Sequence, residues 1–389
     1  MPTTPAALLE EVAQVIEQLV ASFPGNLDCL EMKARYQKWT GKTEEAVKTW
    51  QHCLDLAPDY AHAYLGMAEV AAKKGDHAKA ADLARKSMAA GPRLFQARAV
   101  LCDALMNLGQ PQEVIDLMEE YLPSDPRSYG YFLLGRAYAL TKQPEKAKEN
   151  YEASIRKYPD YAEAYYGLSR ICVQLGEKEA ARKSMTRYRE LMTERHPGRQ
   201  GMDMTPESFE ELCDDAAIIY TDAGRIYFAD NQAEEAERLL RRAAGLSPEN
   251  IECRRALAWL SRSKVDATET IQWLTELAAL DPTDSSPWLE IGNLQLDLLQ
   301  LEAAEEAYQK ACHIAPEDPR GHAALATLYL RSGQKNSEAL TLARKAVELA
   351  PTAANYSLLA TACERNGDAV GAAEAKTLAT KQDSPSGEN

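Results

Sequence analysis

The segment WLEIGNLQLDLLQLEAAEEAYQKACHIAP, residues 288–316, has the pattern of two amphipathic helices joined by a short turn. Its small residues Gly292 and Ala304 stand among bulky side chains, and Pro316 closes the segment. Two helices can approach closely only where the side chains between them are small. The segment therefore predicts a helical hairpin in which Gly292 and Ala304 are buried where the helices touch.

The same pattern recurs along the chain with a period of about 34 residues. Because proline cannot continue a helix, the closing proline of each unit predicts the end of one helix and the approach of the next. Glycine tolerates the left-handed backbone that ends many helices, and it recurs at the turn within the unit. The closing prolines are Pro58, Pro92, Pro126, Pro159, Pro248, Pro282, Pro316 and Pro351, and the turn glycines are Gly41, Gly75, Gly109, Gly176, Gly333 and Gly367.

Each helix of the unit also carries one recurrent small residue, which predicts tight pairwise packing repeated along the chain. The first helices carry Ala34, Ala68, Cys102, Gly135, Ser169, Gly224, Ala258, Gly292, Ala326 and Ala360. The second helices carry Ala46, Ala80, Val114, Ala147, Ala181, Ala236, Thr270, Ala304, Ala339 and Ala372.

These features resemble the tetratricopeptide repeat family, whose pattern runs from an aromatic residue through Leu-Gly and Tyr to Ala, an aromatic residue, Ala and Pro. The resemblance implies an all-α, right-handed superhelical solenoid, here with ten repeats from Leu27 to Thr380 after a half repeat at residues 5–22. For function it implies only that the protein binds other proteins. The residues that match in 288–316 are Trp288, Ile291, Gly292, Ala304, Tyr308, Ala311 and Pro316, and segments 131–159 and 220–248 match similarly.

Two departures from the repeat pattern suggest a division of the array. Residues 1–192 are expected to form a half repeat and five repeats, and 207–381 five more, of which the first has an extended first helix starting at Thr205 and Pro206. Residues 193–206, TERHPGRQGMDMTP, are rich in Gly, Pro and Met and predict a linker. The extension has two interpretations: a spacer packed on the neighbouring repeat, which we favour, or a hinge or docking ridge. Residues 382–389 predict a disordered tail.

Composition and charge exclude several classes of function. The net charge of −15 argues against a nucleic-acid partner, because binding phosphates requires concentrated Lys and Arg. No run of eighteen apolar residues exists, so no membrane span is expected. The eight scattered cysteines and the absence of a basic, apolar leader predict a cytoplasmic protein. Export is the alternative, if a signal peptide preceded Met1.

No pattern in the sequence predicts catalysis, a metal or a cofactor. The cysteines lack a CxxC pair and the six histidines form no HExxH motif. The stretch TGKT at 40–43 is no phosphate loop, because Tyr36 stands where such a loop requires glycine. We therefore expect no catalytic residues, no metal and no cofactor, and the protein is not expected to be an enzyme.

Surface residues are the remaining candidates. By the resemblance, the first helices line a concave groove, and in repeats four to seven this face combines arginine with aromatic residues. That composition is typical of interface hot spots, and arginine forms paired hydrogen bonds with carboxylates. Arg136, Arg170 and Arg225 share one position and predict a ladder; the alternative is that these arginines are solvated and pair with nearby Glu. The candidate groove residues are Phe132, Arg136, Tyr166, Arg170, Arg225, Phe228, Arg255, Trp259 and Arg262.

The sequence thus predicts a monomeric, non-enzymatic scaffold that binds an extended or acidic polypeptide segment in its groove. The alternative is the substrate-selecting or assembly region of a larger enzyme or machine, such as a glycosyltransferase or secretion complex. The partner and the pathway stay open.

Overall fold

The computed structural model describes residues 4–195 and 209–383. Within these residues it contains 21 α-helices and no strand: a single helix, α1 (Pro5–Ser22), and ten consecutive helical hairpins. The chain divides into two compact units, which we call the N-terminal unit (Ala13–Pro206) and the C-terminal unit (Met1–Val12 with Glu207–Asn389). The helix α1 is divided between them after Val12.

The N-terminal unit contains five hairpins. They are α2 (Leu27–Trp39) with α3 (Thr43–Leu56), α4 (Ala61–Lys73) with α5 (His77–Ala90), α6 (Phe95–Asn107) with α7 (Pro111–Tyr121), α8 (Ser128–Leu140) with α9 (Pro144–Lys157), and α10 (Ala162–Gln174) with α11 (Lys178–Arg195).

The C-terminal unit contains the other five. They are α12 (Phe209–Ala229) with α13 (Ala233–Leu246), α14 (Ile251–Ser263) with α15 (Ala267–Leu280), α16 (Ser286–Asp297) with α17 (Leu301–Ile314), α18 (Pro319–Ser332) with α19 (Asn336–Leu349), and α20 (Ala353–Arg365) with α21 (Ala369–Asp383).

The hairpin α16–α17 is packed as its sequence predicts. Gly292 and Ala304 are both buried, and the ring of Tyr308 covers Gly292 so closely that a Cβ there would lie 2.4 Å from Cε1 of the ring. The Tyr308 hydroxyl donates a hydrogen bond to Asn293 of the partner helix, with an O–O distance of 2.7 Å. Every one of the recurrent small positions named above is likewise buried, so the predicted repeat phase is confirmed in all ten hairpins.

The turns between paired helices use a left-handed residue. All six predicted turn glycines have positive φ, as expected. In four other hairpins the same conformation is taken by residues with a Cβ: Lys142, Asn231, Val265 and Leu299. Val265 is the least suited of these, because its β-branched side chain crowds the left-handed backbone, and it is 89% exposed.

The junction between the two arrays is only partly described. The helix α11 continues to Arg195, and α12 has 21 residues, the greatest length among the described helices. The predicted helix start at Thr205–Pro206, most of the 193–206 linker and residues 384–389 of the predicted tail lie outside the described residues. The predicted domain boundaries therefore stay a prediction.

The first residues of α1 belong to the C-terminal unit. Leu8 and Val12 are fully buried, and Glu11 accepts two hydrogen bonds from the Arg242 guanidinium, at 2.8 and 2.7 Å. The hydrogen bonds from Arg242 hold the pKa of the Glu11 carboxyl below its ordinary value, against the opposing effect of burial. An ion pair thus joins the part of α1 that precedes Ala13 to α13, between residues 231 positions apart in the sequence.

Candidate functional site

The N-terminal unit contains a cavity of about 540 Å³ bounded by residues of α8, α9, α10 and α11. We call it the α8–α10 cavity. Four of the predicted groove residues line it: Phe132, Arg136, Tyr166 and Arg170. One residue position shared by successive repeats therefore brings two arginines, one from α8 and one from α10, to a single cavity.

The close approach of α8 and α10 depends on one ring and two glycines. Tyr151 of α9 lies between Gly135 of α8 and Gly167 of α10, and a Cβ on either glycine would come within 3.0 Å of the ring. Burial raises the pKa of Tyr151 to about 12, so the ring stays neutral. The Tyr151 ring also lines the cavity, which links the packing of the hairpins to the shape of the site.

Arg136 is partly engaged within the protein. Its guanidinium donates to Asp103 of α6 over 2.7 Å, and it lies 5.6 Å from the centre of the Phe132 ring. Asp103 also accepts a hydrogen bond from the Tyr129 hydroxyl, at 3.3 Å. Burial and this carboxylate raise the pKa of Tyr129 to about 12. The alternative interpretation of the groove arginines, pairing with an acidic neighbour, therefore applies to Arg136, although the neighbour is Asp rather than Glu.

Arg170 is in a different situation. Its side chain is exposed, its guanidinium lies 6.0 Å from the centre of the Tyr166 ring, and it forms no ion pair with the side chains of residues 4–193 and 209–382. Tyr166 is 44% exposed and contacts Tyr188 of α11, with ring centres 5.3 Å apart. Arg170 therefore brings a guanidinium without an ion-pair partner among the described side chains to the α8–α10 cavity, whose lining also includes the carboxylate of Glu163.

Phe132 departs from its predicted exposure. The sequence suggested a ring open to solvent, but the ring is half-buried among three tyrosines. Its centre lies 5.9 Å from that of Tyr129, 6.0 Å from that of Tyr151 and 5.0 Å from that of Tyr161. These contacts hold the Phe132 ring in place where it lines the cavity.

The other five predicted residues lie in the C-terminal unit. Phe228 and Trp259 form an edge-to-face pair with centres 4.9 Å apart, and Trp259 is 63% exposed. Arg255 pairs with Glu252 at 2.6 Å and Arg262 with Glu290 at 3.2 Å, as the alternative interpretation expects.

Arg225 is exposed and makes no ion pair within the described part of the chain. It belongs to the C-terminal unit, whereas Arg136 and Arg170 belong to the N-terminal unit. The ladder of three arginines therefore stays a prediction.

Asp103 is the functional residue that the sequence did not single out. The candidate groove residues were taken only from repeats four to seven, whereas Asp103 lies in repeat three.

The described residues show no arrangement suited to metal binding or nucleophilic chemistry. No group of three or more His, Cys, Asp or Glu side chains among them could hold a metal ion. Six of the eight cysteines are buried, and burial raises the pKa of Cys29 and Cys53 to about 11, which keeps these thiols protonated. The TGKT stretch forms the turn between α2 and α3.

The fold and the cavity define a class of protein. It is an array of helical hairpins with a cavity between the first helices of two successive hairpins, α8 and α10. The chain belongs to the tetratricopeptide repeat family. Family models described as tetratricopeptide repeat match residues 132–197, 221–285 and 285–318. A model described as the second ARM domain of tetratricopeptide repeat protein 21 matches residues 1–75.

Relatives and solved structures are similar to this chain at low identity. The CTR9 homolog of Arabidopsis thaliana is 23% identical over 320 residues, covering 80% of this chain and 24% of that protein. Tetratricopeptide repeat protein 21B of Mus musculus is 23% identical over 331 residues, covering 80% of this chain and 21% of that protein. The chain thus spans a quarter or less of the length of these relatives.

Two solved structures are similar to this chain at TM-scores below 0.4. MamA from Desulfovibrio magneticus RS-1 is 21% identical with a TM-score of 0.38, covering 43% of this chain and 97% of that one. Yeast Tom70 is 15% identical with a TM-score of 0.36, covering 91% of both chains.

None of the helices in residues 4–195 and 209–383 combines the length and the hydrophobicity of a membrane-spanning segment.

Proposed function

We propose that this protein is a non-enzymatic scaffold that binds an acidic, extended segment of another polypeptide in the α8–α10 cavity. The observation that carries the proposal is Arg170, an exposed guanidinium beside an exposed aromatic ring and without an ion-pair partner among the side chains of residues 4–193 and 209–382. In a chain of net charge −15, the lining of this cavity carries two arginines, Arg136 and Arg170, and one carboxylate, Glu163. An acidic segment complements the two guanidinium groups.

The ligand chemistry follows from the pairing of guanidinium and ring. A carboxylate beside Arg170 gains charge-assisted hydrogen bonds, and an apolar or aromatic neighbour covers Tyr166. Loss of one charge-assisted contact costs about 1.5–3 kcal/mol, or roughly ten- to a hundredfold in affinity. The exposed face of Tyr166 adds contact area that does not depend on salt.

Arg136 contributes less than Arg170, because its guanidinium already has a carboxylate partner. A ligand carboxylate must share the guanidinium with Asp103 or displace it, and Asp103 repels the incoming charge. Since both side chains of this ion pair are more than a third exposed, solvent screens the pair strongly. We therefore expect Arg170→Ala to weaken binding more than Arg136→Ala.

Fluorescence anisotropy with defined probes tests the proposal. The probes are labelled twelve-residue peptides that carry Glu and Tyr, and matched peptides in which Gln replaces every Glu. Wild-type protein should bind the Glu peptide at least tenfold more tightly than the Gln peptide. Arg170→Ala should remove most of this preference, and raising the salt concentration should reduce it.

The matched control for Arg170 is Arg85. It lies on α5 in the same unit, pairs with Glu113 at 3.1 Å, and does not line the α8–α10 cavity. Arg85→Ala removes the same charge and should leave the affinity for the Glu peptide unchanged. Equal binding of the Glu and Gln peptides, or equal losses in Arg85→Ala and Arg170→Ala, would contradict the proposal.

The cellular setting forms part of the same proposal. Eight unpaired cysteines, most of them buried as small apolar residues, suit a reducing compartment such as the cytoplasm. We propose that the scaffold acts there as a monomer.

A further inference from the structure

A second cavity, of about 830 Å³, lies in the same unit near the ends of α5 and α7 and the turn into α8. We call it the α5–α7 cavity. The charged residues of its lining are three arginines and two carboxylates, and Tyr121 lies beside them: Arg93, Arg98, Arg127, Glu120 and Asp125. None of these residues was singled out by the sequence.

Two of the charged groups in the α5–α7 cavity neutralise each other. Arg127 donates to Asp125 over 2.6 Å, and the Tyr121 hydroxyl donates to the same carboxylate. Hydrogen bonds from Tyr121 and from Arg127 both hold the pKa of Asp125 below its ordinary value. Asp125 thus remains ionised. Its Oδ2 atom accepts both hydrogen bonds, and the charge of Arg98 also lowers the pKa of this carboxyl, although the two side chains form no ion pair.

Arg98 makes a different set of contacts. Its guanidinium stacks on the Tyr121 ring, 4.0 Å from the ring centre. Its Nε and Nη1 atoms are buried and donate no hydrogen bond within the protein, and the guanidinium forms no ion pair with any side chain that the structure describes. A guanidinium that is partly removed from water and unpaired attracts an anion strongly.

A run of aromatic rings connects the two cavities. Tyr121 stacks on Phe95 with centres 5.7 Å apart, Phe95 meets Tyr129 at 6.2 Å, and Tyr129 stacks on Phe132 at 5.9 Å. Tyr121 lines the α5–α7 cavity and Phe132 lines the α8–α10 cavity. Arginines lie against this run at both ends, with Arg98 over Tyr121 and Arg136 over Phe132.

We infer that the two cavities hold two acidic groups of one extended polypeptide, so that the ligand is bipartite. This inference rests on the proposed function of the α8–α10 cavity and adds the α5–α7 cavity to it. Three ring contacts of about 6 Å separate the cavities, and an extended chain advances about 3.3 Å per residue. About five residues should therefore separate the two acidic groups.

Peptides with one or two acidic blocks test the inference. Each block is Glu-Tyr-Glu, and the two-block peptides have Gly-Ser spacers of two, five or ten residues. The wild-type protein should bind the two-block peptide with the five-residue spacer at least tenfold more tightly than the one-block peptide, because the second block binds at high effective concentration. The two-residue spacer should show little of this gain.

Arg98→Gln should abolish the gain from the second block while leaving the affinity for the one-block peptide unchanged. Arg85→Gln, which removes an arginine outside both cavities, should preserve the gain. Circular dichroism of each variant verifies that its helices are intact, and Arg98→Lys, which keeps the charge, should retain part of the gain. A role of Arg98 in packing alone would predict the same loss for Gln and Lys.

The outcomes separate the two proposals. If the one-block peptide binds and depends on Arg170, but the second block adds nothing or its gain survives Arg98→Gln, only the bipartite inference is wrong. If the one-block peptide does not bind at millimolar concentration, or binds regardless of Arg170, the proposed function fails and the inference fails with it.

Discussion

Replacing Gly292 by Ala tests the repeat packing with a single methyl group. The new Cβ would lie 2.4 Å from Cε1, 2.5 Å from Cδ1 and 2.9 Å from Cζ of Tyr308. Carbon atoms prefer separations of about 3.5–4.0 Å, so the ring or the helix must move by about 1 Å. Tyr308 is only 1% exposed and its hydroxyl is bound to Asn293, which leaves the ring little freedom.

The magnitude combines two opposing effects. Overpacking a well-packed core costs about 1–3 kcal/mol. Replacing glycine by alanine inside a helix stabilises the fold by about 0.5–1 kcal/mol, because alanine loses less backbone entropy on folding. Gly245 in α13 supplies the control, because a Cβ there meets no atom within 4 Å and Gly245→Ala has only the favourable effect. The free energy of unfolding of Gly292→Ala should therefore fall about 1–3 kcal/mol below that of Gly245→Ala.

Guanidinium chloride unfolding, followed by circular dichroism at 222 nm, measures this difference. Tyr308→Leu replaces the obstructing ring with a smaller side chain, so the double variant Gly292→Ala/Tyr308→Leu should lose less stability than the two single changes together. If Gly292→Ala is as stable as Gly245→Ala, or if the two changes at the contact are additive, the assigned packing of α16 on α17 is wrong.

Three further changes have expected outcomes of different sign. Val265→Gly should raise the free energy of unfolding by about 1 kcal/mol, because it relieves a left-handed valine, and chemical denaturation measures it. Asp103→Asn should tighten the binding of Glu-containing peptides several-fold in anisotropy titrations, because it releases Arg136; weaker binding would contradict this. The ion pair between Glu11 and Arg242 contributes fully to the stability of the fold at pH values above the ordinary pKa of Glu. This contribution is lost as the pH falls through the lowered pKa of Glu11. Glu11→Gln should therefore lower the melting temperature at pH 7 and by less at pH 3.

Features that repeat with the period were predictable from the sequence. The turn glycines, such as Gly176, and the small contacts, such as Gly292, recur once per unit because every hairpin must solve the same packing problem. The same regularity predicted that Arg136 and Arg170 occupy equivalent positions, and the structure places both at one cavity.

Features that depend on distant or irregular partners were not predictable. Arg242 binds Glu11, which lies 231 residues away, and no periodic signal marks such a pair. Asp103 pairs with Arg136 from the equivalent position of the preceding repeat, because it follows Cys102 as Arg136 follows Gly135. The repeat fixes this position but not the sign of the charge that occupies it. The left-handed backbone at Val265 was not predictable either, because the turn requires this conformation, whereas a β-branched residue normally avoids it.

The alternative function, a region of a larger enzyme or machine, stays a prediction.

Affinity purification with wild-type protein and the double variant Arg136→Ala/Arg170→Ala tests the central claim most directly. Proteins retained by each are identified by mass spectrometry, with Arg85→Ala as the control for lost charge. The account predicts that wild type and Arg85→Ala retain the same partners, that their bound segments are acidic, and that the double variant loses them. Retention of every wild-type partner by Arg136→Ala/Arg170→Ala would show that the α8–α10 cavity is not the binding site.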